Sequence, residues 1–287
     1  LPNQDLKWEK TTQYNAGIDL GLLTNRINIE VDAYLKKTSD LLLAAPVPAS
    51  SGYTTLMTNI GDMENKGIEF NISSLNIDRD DFSWSTSFNF SYLKNKVTAL
   101  GTNNEDVFMN PSFIGSNSNI LRVGQPVGTF YGLVREGTWG TSEAEQAARY
   151  NRLPGDIKYR DINDDGQIND ADRTLIGKGI PDFYGGFFNT FRYKNFDLTV
   201  ELQYSYGNDV FRMSQHSSED RTGIANSYAS VLNAWTEENQ NTPIAQIRGA
   251  GVRYDSLLDS HKVEDGSFVR GKNLMLGYNL PTEFLSK

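Results

Sequence analysis

The eleven residues FDLTVELQYSY at positions 196–206 alternate apolar and polar side chains without a break. Leu198 and Val200 point to one side of such a segment, and Glu201 and Gln203 point to the other. A period of two is typical of a β-strand with two chemically different faces. A strand of this length with an entirely apolar face is long for a soluble sheet and suits a tilted bilayer crossing.

Three further stretches, at residues 13–20, 27–36 and 82–92, show the same alternation. Aromatic residues cluster near the ends of the apolar faces, where membrane barrels keep their interfacial girdles. We expect one set of side chains to contact lipid: Ile29, Val31, Phe88, Phe90, Leu198 and Val200. We expect the opposite set to line the lumen: Asn28, Glu30, Asn89, Glu201 and Gln203.

The connections between these strands differ in length in a regular way. Tight turns are predicted at residues 22–25, 77–81 and 194–195, with Asn195 suited to a positive φ. Long irregular segments are predicted at 38–64, 97–181 and 207–267. Outer-membrane barrels have short periplasmic turns and long extracellular loops. The sequence therefore predicts an all-β fold, a transmembrane antiparallel up-and-down β-barrel, with residues 1–287 forming part of one such domain and a last strand at 268–280.

Composition limits the function. The chain has 287 residues, a net charge of −9 and no cysteine. The sequence shows no basic stripe of the kind that neutralises the phosphates of a nucleic acid, which argues against a nucleic-acid partner. The absence of cysteine excludes disulfides and thiol chemistry. The opening residues do not resemble a secretory signal, so we expect the chain to be a piece of a longer exported protein.

The segment 97–181 contains a calcium-type loop. Asp161, Asn163, Asp165, Gly166 and Asp172 occupy positions 1, 3, 5, 6 and 12 of such a loop. Ca²⁺ takes six to eight hard oxygen ligands, and alternate residues of a tight loop can point at one centre. The predicted ligands are Asp161, Asn163, Asp165, the carbonyl of Gln167, and Asp172. The alternative is an Asx-rich turn that needs no metal.

Two flanking features qualify the calcium loop. Residues 142–150 predict a short helix with Thr141 or Ser142 as its N-cap. Residues 157–160 read as extended, so the helix pair of an EF-hand is not expected around the loop. A structural rather than catalytic role is predicted for the cation.

An enzymatic function is not predicted. His216 and His261 are the only histidines, and neither has a metal-binding spacing. Ser, His and Asp occur together at 214–220, but closeness in sequence does not make a triad. A second hypothesis is a secreted or surface β-domain that is stabilised by calcium and binds glycans by stacking them on aromatic side chains of the loops. Alternatively, these aromatic side chains pack against one another. The residues concerned are Tyr131, Trp139, Tyr150, Tyr159 and Trp235.

Several of these segments carry a family resemblance. Residues 123–132, 154–166 and 176–187 are similar to the SusC/RagA branch of TonB-dependent outer-membrane transporters. Residues 6–11, 59–69 and 268–281 resemble the same branch, so the resemblance covers nearly the whole chain. It departs slightly at Gly271, where the family more often has an apolar residue.

The resemblance implies a bacterial outer-membrane barrel of about 22 strands with an N-terminal plug, of which this chain would be a C-terminal portion. Such proteins import oligosaccharides or peptides and pair with a SusD-like surface lipoprotein that closes over the barrel as a lid. The TonB complex drives import by pulling on the plug, which this chain does not contain. The resemblance also implies that the two long loops, 97–181 and 207–267, meet the lid.

Overall fold

A computed structural model describes residues 5–46, 50, 52–53, 55–101, 103–109, 117–219, 226–248 and 258–281. Most of the described chain is β-strand, with two short helices, α1 at Ala144–Arg149 and α2 at Ser214–Ser218. The strands, in chain order, are β1 Lys10–Leu22, β2 Ile27–Pro46, β3 Thr55–Arg79, β4 Phe82–Leu100, β5 Val107–Met109, β6 Asn119–Leu121, β7 Thr129–Gly132, β8 Arg135–Thr138, β9 Ile157–Tyr159, β10 Thr174–Lys178, β11 Phe183–Tyr193, β12 Phe196–Tyr206, β13 Asp209–Phe211, β14 Val263–Asp265 and β15 Phe268–Tyr278.

Seven long strands form one antiparallel sheet in the order β1-β2-β3-β4-β11-β12-β15. Tight turns join β1 to β2, β3 to β4 and β11 to β12, and all three lie at the same end of the sheet. The long segments that connect β4 to β11 and β12 to β15 leave from the opposite end. The predicted up-and-down antiparallel architecture is confirmed, and the described strands form an open sheet whose first and last members do not pair with each other.

The register separates the two predicted faces across the whole sheet. Directly paired residues in neighbouring strands point to the same side. One apolar row runs Ile29, Ile72, Phe88, Phe187, Leu202. The adjacent row on the other face runs Glu30, Asn71, Asn89, Gly186, Gln203. The six residues predicted to contact lipid therefore share one face of the sheet, which we call the apolar face, and the five predicted lumen residues share the other, the polar face.

One group on the apolar face was not predicted. Asn189 pairs with Thr86 and with Val200 in this face and is 8% exposed. Its side-chain oxygen accepts hydrogen bonds from Trp84 Nε1 and Thr86 Oγ1, each at 2.9 Å. The indole is a donor only, so this contact fixes which way the amide points. The network satisfies the Trp84 N–H near the turn end of the sheet, where the sequence pattern had placed Thr86 on this face but not Asn189.

The prediction of an irregular segment at 38–64 is wrong. β2 continues to Pro46 and β3 begins at Thr55, so both strands extend well beyond the alternating stretch. Register shifts occur between Thr38 and Leu42, where Asp40 has a φ of 58°. A bulge inserts one residue and exchanges the two faces of the strand. The alternation that identified the strand is therefore lost although the pairing continues.

Smaller predictions also need correction. In the turn between β11 and β12 the positive φ falls on Lys194 (53°) rather than on Asn195. The helix near residue 142 is confirmed as α1, which follows a 3₁₀ turn at Thr141–Glu143. Its N-cap position is Glu143, and neither Thr141 nor Ser142 caps it. Glu143 instead accepts a hydrogen bond from the Gly140 N–H at 3.0 Å.

The long connection after β4 folds back against the polar face. Asn95 and Val97 both lie on this face, and the Val127 N–H donates to Asn95 Oδ1 at 2.7 Å. Val97, Leu100 and Leu121 form a small buried core that Val127 helps to cover. No helix among the described residues is long and apolar enough to cross a membrane. Part of the connecting segment therefore packs on the polar face of the sheet.

Candidate functional site

The two long segments join into one unit, which we call the loop junction. Leu133 in the first segment and Asp259 in the second form an isolated parallel bridge. The Leu133 N–H donates to the Leu258 carbonyl at 3.1 Å, and the Ser260 N–H donates to the Leu133 carbonyl at 2.9 Å. Leu133 and Leu258 are each 1% exposed. Apolar burial and backbone pairing thus tie together segments that are 125 residues apart in the chain.

A buried ion pair lies at the centre of the loop junction. The Arg135 guanidinium donates to Asp259 Oδ2 through Nε at 2.9 Å and forms a second, shorter bond through Nη2. The Tyr159 hydroxyl donates to the same oxygen at 3.0 Å, and the His261 N–H donates to Oδ1 at 3.1 Å. Asp259 is completely buried, so each of these donors replaces lost water. Sequence reasoning missed this pair because nothing local marks either residue.

A second layer of contacts extends the loop junction. The Thr138 hydroxyl donates to the Thr242 carbonyl at 2.9 Å, and Arg248 pairs with Asp156 at 2.8 Å. Gly155 has a φ of 85°, and a Cβ atom there would lie 2.9 Å from the Trp235 ring. Glycine is therefore required at this position both by backbone conformation and by the close approach of the indole.

Two carboxyl groups in the loops, those of Glu143 and Glu219, have lowered pKa values. A hydrogen bond from Lys158 Nζ at 2.6 Å holds the pKa of Glu143 below its ordinary value. Burial alone would raise the pKa of Glu219, but hydrogen bonds from Ser230 and His261 outweigh it and leave that pKa lowered. A carboxyl with a lowered folded-state pKa stabilises the fold above its unfolded-state pKa, and this contribution is lost as the pH falls through the folded-state value.

The loop aromatics that could have stacked on sugars are mostly buried. Tyr131, Trp139, Tyr159 and Trp235 are between 4% and 8% exposed. Tyr150 is half-buried and stacks on Trp139 at 5.8 Å between ring centres. These rings pack within the loops and present little face to solvent, so the glycan-binding hypothesis loses the platforms on which it depended.

The predicted calcium loop is a tight turn that bonds to itself. Asp161 Oδ2 accepts from the Gly166 N–H at 2.9 Å and from the Tyr150 hydroxyl at 3.2 Å. Asp165 Oδ1 accepts from the Gln167 N–H at 2.8 Å, and Asn163 Nδ2 donates to Asp165 Oδ2 at 3.0 Å. Gly166 has a φ of 77°, as position 6 of a calcium loop requires. Desolvation raises the pKa of Asp161, but these N–H and O–H donors outweigh it and lower that pKa overall.

The closing residue of this loop is wholly buried. Asp172 accepts from the Ile162 N–H and the Asn169 N–H, both at 2.9 Å, through its two oxygens. A carboxylate offers about four lone-pair positions, so these bonds leave room for further contacts. The atoms predicted to bind the metal are all oxygens, which suit a hard cation. However, the described part of the chain contains no group of three His, Cys, Asp or Glu side chains arranged to hold a metal, and calcium stays a prediction.

The polar face of the sheet carries charges and amides along its length. Glu201 pairs with Lys272 at 2.8 Å, where Lys272 occupies a bulge in β15. Glu30 accepts a weak hydrogen bond from Asn71 Nδ2 at 3.5 Å. The sheet thus has an apolar face and a polar face, with tight turns at one end and large folded loops at the other. These features define the chain as part of a membrane β-barrel.

Comparison with known proteins gives a consistent result. The family model for TonB dependent receptor-like β-barrels matches residues 1–173, which is more than half of the chain. TonB-dependent receptor P3 of Formosa agariphila is 41% identical over 99% of this chain and 28% of its own length. SusC of Bacteroides thetaiotaomicron is 30% identical over 96% of this chain and 26% of its own. The solved RagAB peptide transporter superposes with a TM-score of 0.81 at 27% identity, over 100% of this chain and 31% of that chain.

The chain belongs to the TonB-dependent receptor β-barrel family, in its SusC/RagA branch, whose members lie in the bacterial outer membrane. It spans about a quarter to a third of the length of these relatives. The predicted family, fold class and location are confirmed. The relatives named above are receptors and transporters, in agreement with the prediction that the chain is not an enzyme.

Proposed function

We propose that the chain forms barrel wall and outer loops of a transporter that imports oligosaccharides or peptides across the outer membrane. Import would be driven through the TonB complex and would need a SusD-like surface lipoprotein as a lid. RagAB is a peptide transporter, and part of its structure is similar to this chain over the whole length of the chain. The observation that carries the proposal is the loop junction, a folded unit at the end of the sheet where extracellular loops lie.

The loop junction offers a surface for the lid. Leu232 is 93% exposed, and Tyr228 and Ile247 are 41% and 49% exposed. These side chains line a cavity of about 830 Å³ together with Trp235 and Glu237. Within the described residues the Trp235 Nε1–H has no hydrogen-bond partner. A partner that covers this surface would bury exposed apolar area.

The lid proposal is tested by changing this surface in the full-length receptor. Leu232→Glu should reduce co-purification of the lid lipoprotein at least tenfold, because it places a charge in an apolar contact. The matched control is Thr24→Glu in the turn between β1 and β2, at the opposite end of the sheet. Co-purification that survives deletion of both long loops would contradict the proposal.

We also propose that residues 161–172 take one structural Ca²⁺. Asp161, Asn163, Asp165 and Asp172 would supply side-chain oxygens and Gln167 its carbonyl. A loop with several carboxylates gains conformational order when a divalent cation offsets their repulsion. Support comes from the spacing of these residues in the sequence, which matches a calcium loop, and from the positive φ of Gly166 at position 6.

Calorimetric titration of the full-length receptor with CaCl₂ checks this second proposal. The expected result is one site with a Kd on the order of 10⁻⁴–10⁻³ M, typical of extracellular modules. The double variant Asp161→Ala, Asp165→Ala should abolish it and weaken lid association. The control Asp164→Asn changes a neighbouring charge at position 4, and asparagine tolerates its φ of 57°. If titration of the unmodified receptor with CaCl₂ gives no heat of binding, the proposal is contradicted and the segment is an Asx-rich turn that binds no metal.

A further inference from the structure

A belt of lysines lies on the apolar face, just beyond its outer row of aromatics. The row Ile68, Tyr92, Phe183, Tyr206 holds three aromatic residues near the loop end of the sheet, and Phe183 stacks on Tyr206 at 4.9 Å. Tyr14 of β1 lies in the next row outward. The next rows on the same face contain five lysines: Lys10, Lys37, Lys66, Lys94 and Lys96. All five are exposed.

These lysines have little negative charge beside them. Glu64 is the one carboxylate in the paired rows, and it lies 4.0 Å from Lys37 and 3.9 Å from Lys66. Neither Lys94 nor Lys96 has an ion pair with any described residue. The belt is thus strongly positive, although the whole chain carries a net charge of −9.

The register places like charges in direct opposition. Lys66 of β3 pairs with Lys94 of β4, whereas in the next row Lys37 and Lys96 both flank Glu64. Like charges directly opposite each other in an antiparallel pair are destabilising. An anion held between the two ammonium groups would remove this repulsion. The strand pairing therefore points to a negatively charged ligand rather than to a merely solvated surface.

The position of the lysine belt along the strands agrees with the depth at which lipid headgroups lie. Along β4, Phe82 lies at the turn end, Tyr92 ten residues further on and Lys94 twelve residues further on. With a rise of about 3.3 Å per residue and a tilt of about 40°, Tyr92 lies about 25 Å above Phe82 and Lys94 about 30 Å above it. An apolar band about 25 Å tall therefore ends at the aromatic row. Lys66 and Lys94 fall immediately outside it, at the outer leaflet.

We propose that Lys66 and Lys94, supported by Lys37 and Lys96, bind the phosphate groups of an anionic lipid in the outer leaflet. The acyl chains of that lipid would lie along the apolar rows below, over Tyr92 and Ile68. The site lies on the outside of the barrel wall and is separate from the loop junction and the lumen. It is therefore independent of the substrate and of the lid.

The test uses the full-length receptor in detergent, titrated with bisphosphorylated lipid A and followed by native mass spectrometry. The double variant Lys66→Gln, Lys94→Gln should weaken binding about 30-fold, from the usual contribution of two lysines near an anionic surface. Binding of the dephosphorylated lipid should not change. Lys94→Arg keeps the charge and should retain at least half of the affinity.

Lys36→Gln is the matched control. Lys36 is the neighbour of Lys37 in β2, but it pairs with Gln13 and Asn65 on the polar face, so its loss should leave lipid binding within twofold. Equal binding by the double variant and the unmodified receptor would overturn the proposal. So would equal losses in the Lys36→Gln control. Displacement of the lipid by inorganic phosphate at the same concentration would also overturn it, since the site would then take a soluble anion.

Discussion

Replacing Val200 by Arg should prevent assembly of the receptor in the outer membrane. Val200 lies on the apolar face of β12, between Asn189 of β11 and Leu274 of β15. A cationic side chain on the lipid side of a barrel costs about 2–4 kcal/mol at the bilayer midplane, and neither residue paired with Val200 carries a negative charge to offset it. The expected result is loss of the heat-modifiable, folded band in outer-membrane fractions.

Gln203→Arg is the control for this substitution. Gln203 lies three residues away in the same strand and on the polar face, opposite Gly186 and Arg270. The arginine introduced there would face Arg270, but both side chains lie on the polar face, where water and salt screen their repulsion, so assembly should stay within twofold of the unmodified level. Equal tolerance of arginine at both positions would contradict the assignment of the apolar face to lipid.

Asp259→Ala should unfold the loop junction while leaving the sheet intact. The substitution leaves the Arg135 guanidinium, which is 8% exposed, without its carboxylate and removes the acceptor of the Tyr159 hydroxyl. Breaking a buried ion pair by removing one partner costs about 3–5 kcal/mol. Hydrogen exchange measured on the full-length receptor should show loss of protection at Leu133 and Ser260, whose N–H groups hold the two segments together.

An exposed ion pair in the same region provides the comparison. Arg160 pairs with Glu136 at 2.8 Å, with the Arg160 side chain 57% exposed. Arg160→Ala should change loop protection little, because exposed pairs contribute about 0–1 kcal/mol. If Asp259→Ala and Arg160→Ala have equal effects on exchange, the buried pair does not hold the junction. Lid association should fall in the first variant and persist in the second.

The sequence was a good guide to the sheet and a poor guide to the loops. Strict alternation at residues 196–206 and 82–92 identified strands and their faces, since a period of two is a local property. The same criterion failed at 38–64, where bulges near Asp40 exchange the faces while β2 and β3 remain paired. Extended pairing beyond a bulge depends on the partner strand and cannot be read from one segment.

The candidate site was harder to predict because it is built from residues that lie far apart in the chain. Arg135 and Asp259 are 124 residues apart, and each stands in an ordinary polar context in the sequence. Loop aromatics such as Trp139 and Trp235 could have bound a sugar, although packing was the favoured interpretation for most of them, and their burial agrees with packing. Asn189 was hidden because its strand contains two adjacent glycines that interrupt the alternation. The calcium pattern was readable because all its residues lie in one turn.

The most direct test of the account is a scan of introduced cysteines along β12, from Phe196 to Tyr206. The chain itself contains no cysteine, so each substitution adds one reactive site to it. Spin labels at these positions in the membrane-embedded receptor should alternate in their accessibility to oxygen and to a water-soluble nickel reagent. We predict maximal oxygen accessibility at positions 198, 200 and 202 and maximal nickel accessibility at 199, 201 and 203. Uniform accessibility, or alternation in the opposite phase, would contradict a barrel wall with its apolar face toward lipid.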